Sequence, residues 1–119
     1  MQAARFGWSR DNTIGATPQP NAEADDWVQF YRERRLGHML ALSAGAGLAP
    51  RVVERGLALL ERCDAFFTNY RPAPSLLHGD LWGGNCSALA GSLEPVIYDP
   101  AMYFGDREAD IAFTRLFGG

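Results

Sequence analysis

The sequence predicts an α+β fold that is mainly helical, and three observations support this prediction. Two stretches carry apolar residues at spacings of three and four, and a short connection rich in Gly, ending at Pro50, joins them. Pro72 and Pro74 then end the helical pattern. After them come short apolar runs separated by turn residues, which are typical of small strands. We therefore expect a helical hairpin followed by a small β-hairpin.

The first helix is expected to follow an irregular segment. Residues 1–21 contain several Gly, Pro and Asn residues without a clear period, so we expect a loop there. Asp25 and Asp26 stand where acidic residues favour the beginning of a helix. The helix should run to about residue 43 and end at Gly45 and Gly47. Its helically spaced positions are Trp27, Phe30, Tyr31, Arg34, His38 and Leu42.

The second helix is expected over residues 50–69. Pro50 suits a first helical position, and Val53, Leu57 and Leu60 continue one apolar face as far as Phe67. The short connection to the first helix indicates an antiparallel hairpin.

The last third of the chain is expected to form small strands and one further helix. Apolar runs at 76–77, 86–89 and 96–98 predict strands, and the turn at 90–92 predicts a hairpin between the last two. A final helix is expected from about residue 107 to 117.

Composition excludes several classes of protein. The chain has 119 residues, 47% of them hydrophobic and 21% charged, which is typical of one globular core rather than of a disordered chain. The net charge of -3 and the lack of a basic run argue against nucleic acid as a partner. No apolar run is long enough to cross a membrane, so we expect a cytoplasmic location without a membrane partner. Cys63 and Cys86 support neither a disulfide framework nor a zinc site.

The densest set of polar residues lies in HGDLWGGN, residues 78–85, with Asp99 after the last predicted strand. The spacing His-x-Asp-x-x-x-x-Asn matches the catalytic loop of protein kinases. In that loop the Asp, here Asp80, accepts the proton of the acceptor hydroxyl. The Asn, here Asn85, binds magnesium, and Asp99 stands where a second magnesium ligand is expected. Turn and capping chemistry is the alternative explanation for these residues.

The two blocks LLHGDLWGGN and VIYDPAMYFGDREADIAF resemble the fructosamine kinase (ketosamine-3-kinase) family, whose fold is like that of aminoglycoside phosphotransferases and protein kinases. DNTIGATPQPN and DDWVQFYRERRLG extend the resemblance over nearly the whole chain. The resemblance implies the C-terminal lobe of that fold. It also implies phosphorylation of a sugar hydroxyl of ketosamines, free or protein-bound, with ATP as co-substrate and Mg²⁺ as cofactor.

The resemblance also assigns roles to individual residues. Asp80 is similar to the catalytic base, and Asn85 and Asp99 are similar to the magnesium ligands. His78 is expected to be a structural member of the loop. The charged residues of the GDREAD block, residues 105–110, are expected to have structural or acceptor-side roles. The expected substrate contacts are Trp82, Tyr103 and Asp106.

One departure from the family pattern concerns the lysine that contacts the ATP phosphates in kinases. All 11 basic residues of this chain are arginine. We therefore expect residues 1–119 to be a single partial domain without the ATP lobe, with little or no turnover alone. We also expect it to self-associate through the face that the missing lobe leaves. Two alternatives remain: a non-catalytic module that binds a sugar or a partner, or a kinase for another acceptor such as an aminoglycoside or choline.

Overall fold

The first helical run carries the aromatic side chains around which the protein folds. The computed structural model describes residues 5–118, and in it α1 spans Trp27–Phe30, a π-helical turn spans Tyr31–Leu36 and α2 spans Gly37–Gly45. The Asp26 carboxylate accepts a hydrogen bond of 2.8 Å from the Gln29 backbone N–H and so caps the helix. The first predicted helix is confirmed, with a wider turn in its middle that the sequence pattern did not indicate.

The second helix packs against α2 and is shorter than expected. Helix α3 spans Pro50–Glu61 and has proline in its first turn, as predicted. The chain then tightens into a 3₁₀ turn at Cys63–Phe67 instead of continuing as an α-helix to residue 69. The tighter turn buries Cys63 and places Asp64 in an ion pair with Arg32 of the first helical run. Tertiary contacts have thus overridden the helical periodicity here.

A β-hairpin occupies part of the segment that the sequence predicted to be a loop. Strand β1, Asn12–Ile14, pairs antiparallel with β2, Thr17–Gln19. Gly15 has a φ of +54° and begins the two-residue turn between them. The prediction of a loop over residues 1–21 was therefore wrong at this point.

Two further pairs of strands flank the predicted catalytic loop. Strand β3, Ser75–Leu77, confirms the strand predicted at 76–77. It pairs antiparallel with β6, Tyr103–Gly105, a strand that the sequence did not predict. Strand β4, Cys86–Ala88, pairs with β5, Pro95–Ile97, and confirms the predicted hairpin. Helix α4 spans Glu108–Phe113 and is followed by a 3₁₀ turn at Leu116–Gly118, so the last helix is shorter than predicted. No helix within residues 5–118 is long and apolar enough to cross a membrane.

The hydrophobic core joins the first helix to the strands beside the loop. Phe30 lies with its ring centroid 5.9 Å from Trp27 and 5.6 Å from Tyr103, and it is completely buried. Burial of such a side chain contributes roughly 1.5–3 kcal/mol. Phe6, Ala24 and Leu77 complete the buried cluster. The core therefore fixes β3, which leads directly into the predicted catalytic loop.

Many large apolar side chains outside this core are exposed in the described chain. Helix α3 has no buried residue, and Leu57 and Val52 are about half exposed. Phe66 and Phe117 are more exposed still. Self-association through such a surface stays a prediction.

Candidate active site

The predicted catalytic loop, residues 78–85, is tied to helix α4 by one carboxylate. The backbone N–H groups of His78 and Gly79 donate to the two oxygens of Asp110, at 2.7 and 2.9 Å. Hydrogen bonds to an ionised acceptor are among the stronger ones in proteins. Asp110 therefore fixes the beginning of the loop. The sequence assigned Asp110 only a structural or acceptor-side role and gave no indication of this partner.

The loop also contacts the segment that follows Asp99. The Ala101 N–H donates to the His78 carbonyl at 2.8 Å. Gly79 has a φ of +82°, and a Cβ atom there would overlap the Ala101 carbonyl oxygen. Only glycine combines this backbone conformation with so close an approach. The two chemistry-bearing segments are thus held together through their backbones.

The ring of His78 is engaged on both sides by the backbone. Its Nε2 lies 2.8 Å from the Tyr98 carbonyl oxygen, and its Nδ1 accepts from the Asp80 N–H at 3.3 Å. These partners assign the neutral tautomer with the proton on Nε2. Neither nitrogen is left free for proton transfer in this arrangement.

Asp80 and Asn85 orient each other. The Asn85 side-chain nitrogen donates to the Asp80 carbonyl oxygen and to its Oδ2, both at 2.9 Å. These two bonds fix the amide orientation, and Asn85 Oδ1 accepts no hydrogen bond from residues 5–118. Asp80 is half-buried, and its Oδ1 likewise has no donor in the described chain. Two oxygen acceptors are therefore available on neighbouring side chains.

The segment that contains Asp99 runs beside Asn85. The Tyr98 N–H donates to the Asn85 carbonyl at 3.0 Å, which brings the two segments into register. Asp99 is exposed and has a φ of +52°, a left-handed conformation that non-glycine residues rarely adopt. Such strain persists where the surroundings impose it and is frequent at functional sites.

The chemistry of these donors fits magnesium as a shared ligand of protein and phosphate. Mg²⁺ takes oxygen ligands and is usually held by one or two protein groups together with water and substrate phosphates. The Asn85 amide oxygen and the Asp99 carboxylate are such groups. Within residues 5–118 no cluster of three His, Cys, Asp or Glu side chains could hold a metal without that help.

The three predicted substrate contacts differ in their surroundings. The half-buried Trp82 ring meets Phe117 edge-on, with centroids 5.3 Å apart, next to the loop. Asp106 is buried and accepts from the Tyr70 hydroxyl at 3.0 Å and from the Glu108 N–H at 3.1 Å. These bonds give Asp106 a structural role at the beginning of α4. Its contact with substrate stays a prediction, as does that of Trp82.

Tyr103 is part of the core, with the guanidinium of Arg35 lying 3.9 Å above its ring centroid. Burial raises the pKa of Tyr103, and the neighbouring Arg35 cation partly opposes this. Burial has the opposite effect on Arg35 and lowers its pKa, because burial disfavours the charged form of either group. Tyr103 and Asp106 both line a largely apolar cavity of about 530 Å³ between the first helical run and α4. A substrate contact of Tyr103 would have to come through this cavity, and it too stays a prediction.

Solved structures define the class of protein to which this arrangement belongs. A crystal structure of a candidate fructosamine-3-kinase from Thermobifida fusca matches with a TM-score of 0.87 and 36% identity, covering 98% of this chain and 40% of that one. A second candidate fructosamine-3-kinase, from Haemophilus somnus, gives 0.84 and 33%, covering 98% of this chain and 38% of that one. The fold is therefore that of a segment of a kinase.

Sequence comparison identifies the family within that class. The family model described as fructosamine kinase matches residues 1–119. The chain belongs to the fructosamine kinase family, as its sequence motifs predicted. A probable ketoamine kinase from Synechocystis is 49% identical over an aligned length of 120, and the alignment covers 98% of this chain and 38% of the relative. The chloroplastic protein-ribulosamine 3-kinase of Arabidopsis thaliana is 44% identical over 113 residues, 95% of this chain and 34% of that protein. The chain thus spans little more than a third of the length of these relatives.

Proposed function

We propose that this chain carries the catalytic loop and the metal ligands of an ATP-dependent kinase that phosphorylates a sugar hydroxyl of ketosamines. The observation that carries the proposal is the Asp80–Asn85 pair, in which two hydrogen bonds of 2.9 Å orient both side chains and leave an oxygen of each available. Membership of the family and the names of its relatives supply the acceptor class.

Each side chain has a distinct task in this proposal. The free oxygen of Asp80 accepts the proton of the sugar hydroxyl and orients it toward the γ-phosphate of ATP. Asn85 and Asp99 would hold Mg²⁺, which neutralises charge on the phosphate oxygens when it is bound. His78 and Asp110 keep the loop in place through the backbone. Asp80 is therefore the group whose loss should affect the chemical step.

The remaining parts of the reaction would belong to other regions of the parent protein. The family's relatives are much longer than this chain, and the 11 basic residues here include no lysine. We propose that residues 1–119 belong to the C-terminal lobe of the kinase-like fold and that the lysine for ATP lies elsewhere in the parent. The chain alone should then show little or no turnover. A cytoplasmic location stays a prediction.

A chimera with the Synechocystis relative tests the proposal directly. The aligned 98% of this chain replaces the matching 38% of that relative, to which it is 49% identical. ADP release is measured with ATP, Mg²⁺ and fructosyl-lysine. We expect turnover, and we expect Asp80→Asn to lower kcat by about 10²–10⁴-fold, which is the usual contribution of a general base.

A matched control and an acceptor panel make the result decisive. Glu54→Gln, an exposed acid on α3, should leave kcat unchanged. Full activity of the Asp80→Asn chimera would refute the assigned base. Phosphorylation of an aminoglycoside or choline but not of fructosyl-lysine would refute the acceptor. Sugar binding that is indifferent to ATP and Mg²⁺, in a chimera without turnover, would favour a binding module instead.

A further inference from the structure

The hairpin formed by β1 and β2 forms hydrogen bonds with the segment that follows Asp99. Gln19 Nε2 donates to the Ala101 carbonyl at 3.0 Å, and Asn12 Nδ2 donates to the Met102 carbonyl at 2.8 Å. These partners are 82 and 90 residues apart in the sequence. The two carbonyls belong to consecutive residues, so the hairpin fixes both peptide groups of one short stretch.

The side chains of Gln19 and Asn12 are themselves held by hydrogen bonds. Gln19 Nε2 also donates to Asn12 Oδ1 at 2.9 Å, and Asn21 Nδ2 donates to the same oxygen at 2.8 Å. Asn21 is completely buried, and its Oδ1 accepts from Arg35 at 2.7 Å. The side-chain nitrogens of Asn12, Gln19 and Asn21 all donate hydrogen bonds, which fixes their orientation, while Arg35 Nε is buried without a partner within residues 5–118. The hydrogen bonds therefore run without a break from the first helical run to Ala101.

Ala101 also contacts the predicted catalytic loop through its backbone. Its N–H donates to the His78 carbonyl at 2.8 Å, and its carbonyl lies against Gly79. Asp99 stands two residues earlier, in the left-handed conformation with a φ of +52°. A conformation of this kind costs of order 1–3 kcal/mol and persists only where the surrounding structure imposes it. The hairpin and the loop supply that constraint together.

We infer that Gln19 and Asn12 are positioning residues for the metal ligand Asp99. By holding the Ala101 and Met102 carbonyls, they fix the backbone from which the Asp99 carboxylate would reach a divalent cation shared with Asn85. The inference rests on the proposed role of Asp99 as a magnesium ligand. It adds the β1–β2 hairpin to the site, and this hairpin lies outside the two sequence blocks LLHGDLWGGN and VIYDPAMYFGDREADIAF.

The first measurement follows amide hydrogen exchange of the ¹⁵N-labelled 119-residue chain. Gln19→Met removes the N–H donors at nearly constant volume, and we expect the Ala101 amide to exchange about tenfold faster relative to the Phe30 amide. That factor corresponds to about 1.4 kcal/mol, a typical value for a lost hydrogen bond. Gln19→Glu, which matches glutamine in shape but lacks the donor, should raise exchange at least as much. Gln29→Met, the same substitution at an exposed position of α1, should leave the ratio unchanged.

The second measurement uses Mn²⁺ together with ATP as the probe, because the ATP phosphates supply the further oxygen ligands that such a site needs. Paramagnetic broadening of the Asn85 and Ala101 amide resonances reports binding at the proposed site. Both Gln19 variants should need about tenfold more Mn²⁺ for the same broadening, and Asp99→Asn should abolish it. Asn12→Asp keeps the acceptor for Gln19 and Asn21 but loses the donor to Met102. It should show the same effects more weakly and provides the test if Gln19→Met does not fold.

The outcomes separate this inference from the proposed function. An unchanged Ala101 exchange ratio in the Gln19 and Asn12 variants would overturn the positioning role, whatever Asp99 binds. Faster exchange with unchanged Mn²⁺ broadening, while Asp99→Asn loses it, would overturn the link to the metal. Broadening that survives Asp99→Asn would overturn both the proposed metal ligand and the inference that depends on it.

Discussion

Removal of the Asp110 carboxylate should loosen the catalytic loop and destabilise the whole chain. The carboxylate accepts from the backbone N–H groups of His78 and Gly79, at 2.7 and 2.9 Å. A hydrogen bond to a charged group contributes about 1.5–3 kcal/mol, so the two bonds together represent about 3–6 kcal/mol. Water can replace part of this because the site is only half-buried. For Asp110→Ala we therefore expect a loss of about 2–4 kcal/mol in the free energy of unfolding.

Urea unfolding followed by tryptophan fluorescence measures this loss. With an m-value of about 1.5 kcal/mol/M, a loss of about 3 kcal/mol moves the midpoint by about 2 M. Asp110→Asn keeps one acceptor oxygen and should lose about half as much. Glu108→Ala is the matched control, because Glu108 lies on the same helix, is exposed and, within residues 5–118, uses its side chain only for a surface ion pair with Arg107. The reasoning is refuted if the midpoints of Asp110→Ala and Glu108→Ala agree within 0.3 M, a margin set at about 0.5 kcal/mol.

Two further predictions concern the backbone and the core. Gly79→Ala should prevent folding or lower the melting temperature far more than Gly91→Ala does. Both positions have a positive φ, but only Gly79 lies against a backbone carbonyl. Equal shifts of the melting temperature in a thermal unfolding experiment would contradict the overlap with Ala101. Burial raises the pKa of Tyr103 above its ordinary value of 10.0, so above pH 10 the unfolded chain binds fewer protons than the folded one and stability falls as pH rises. The slope that Tyr103 contributes can be at most about 1.4 kcal/mol per pH unit, the value for one proton, and should be absent near pH 8. Urea midpoints at pH 8, 10 and 11 check this, and a Tyr103→Phe variant that shows an equally steep fall would rule Tyr103 out as the cause.

The sequence predicted the elements whose signals are local. The helical spacing from Trp27 and the proline at the beginning of α3 placed two helices, and a Gly-containing turn placed the β4–β5 hairpin. The early end of α3 was missed because it depends on burial of Cys63 and the ion pair of Asp64, which are tertiary effects. The β1–β2 hairpin was missed although Gly15 marks its turn, since its short strands carry polar residues without the alternation of a half-buried strand.

The candidate site was predictable in its residue types but not in its supports. The spacing of Asp80 and Asn85 pointed to one loop, and their mutual hydrogen bonds are compatible with it. The contacts of Gln19 and Asp110 could not be derived, because each depends on a partner in a distant part of the chain. Strand β6 escaped notice for the same reason, as a run of three residues has too little pattern of its own.

The long reach of the Gln19 contact has a consequence for synthesis on the ribosome. Gln19 meets Ala101 only after another 82 residues have been made, and Gly7 likewise pairs with Phe104. At about 5–20 residues per second, the hairpin waits roughly 4–16 s before its partner can emerge. During that time Phe30 lacks Tyr103, the ring against which it packs in the finished core. We expect folding of this region to be late, because its hydrogen bonds are complete only after Phe104 has been made.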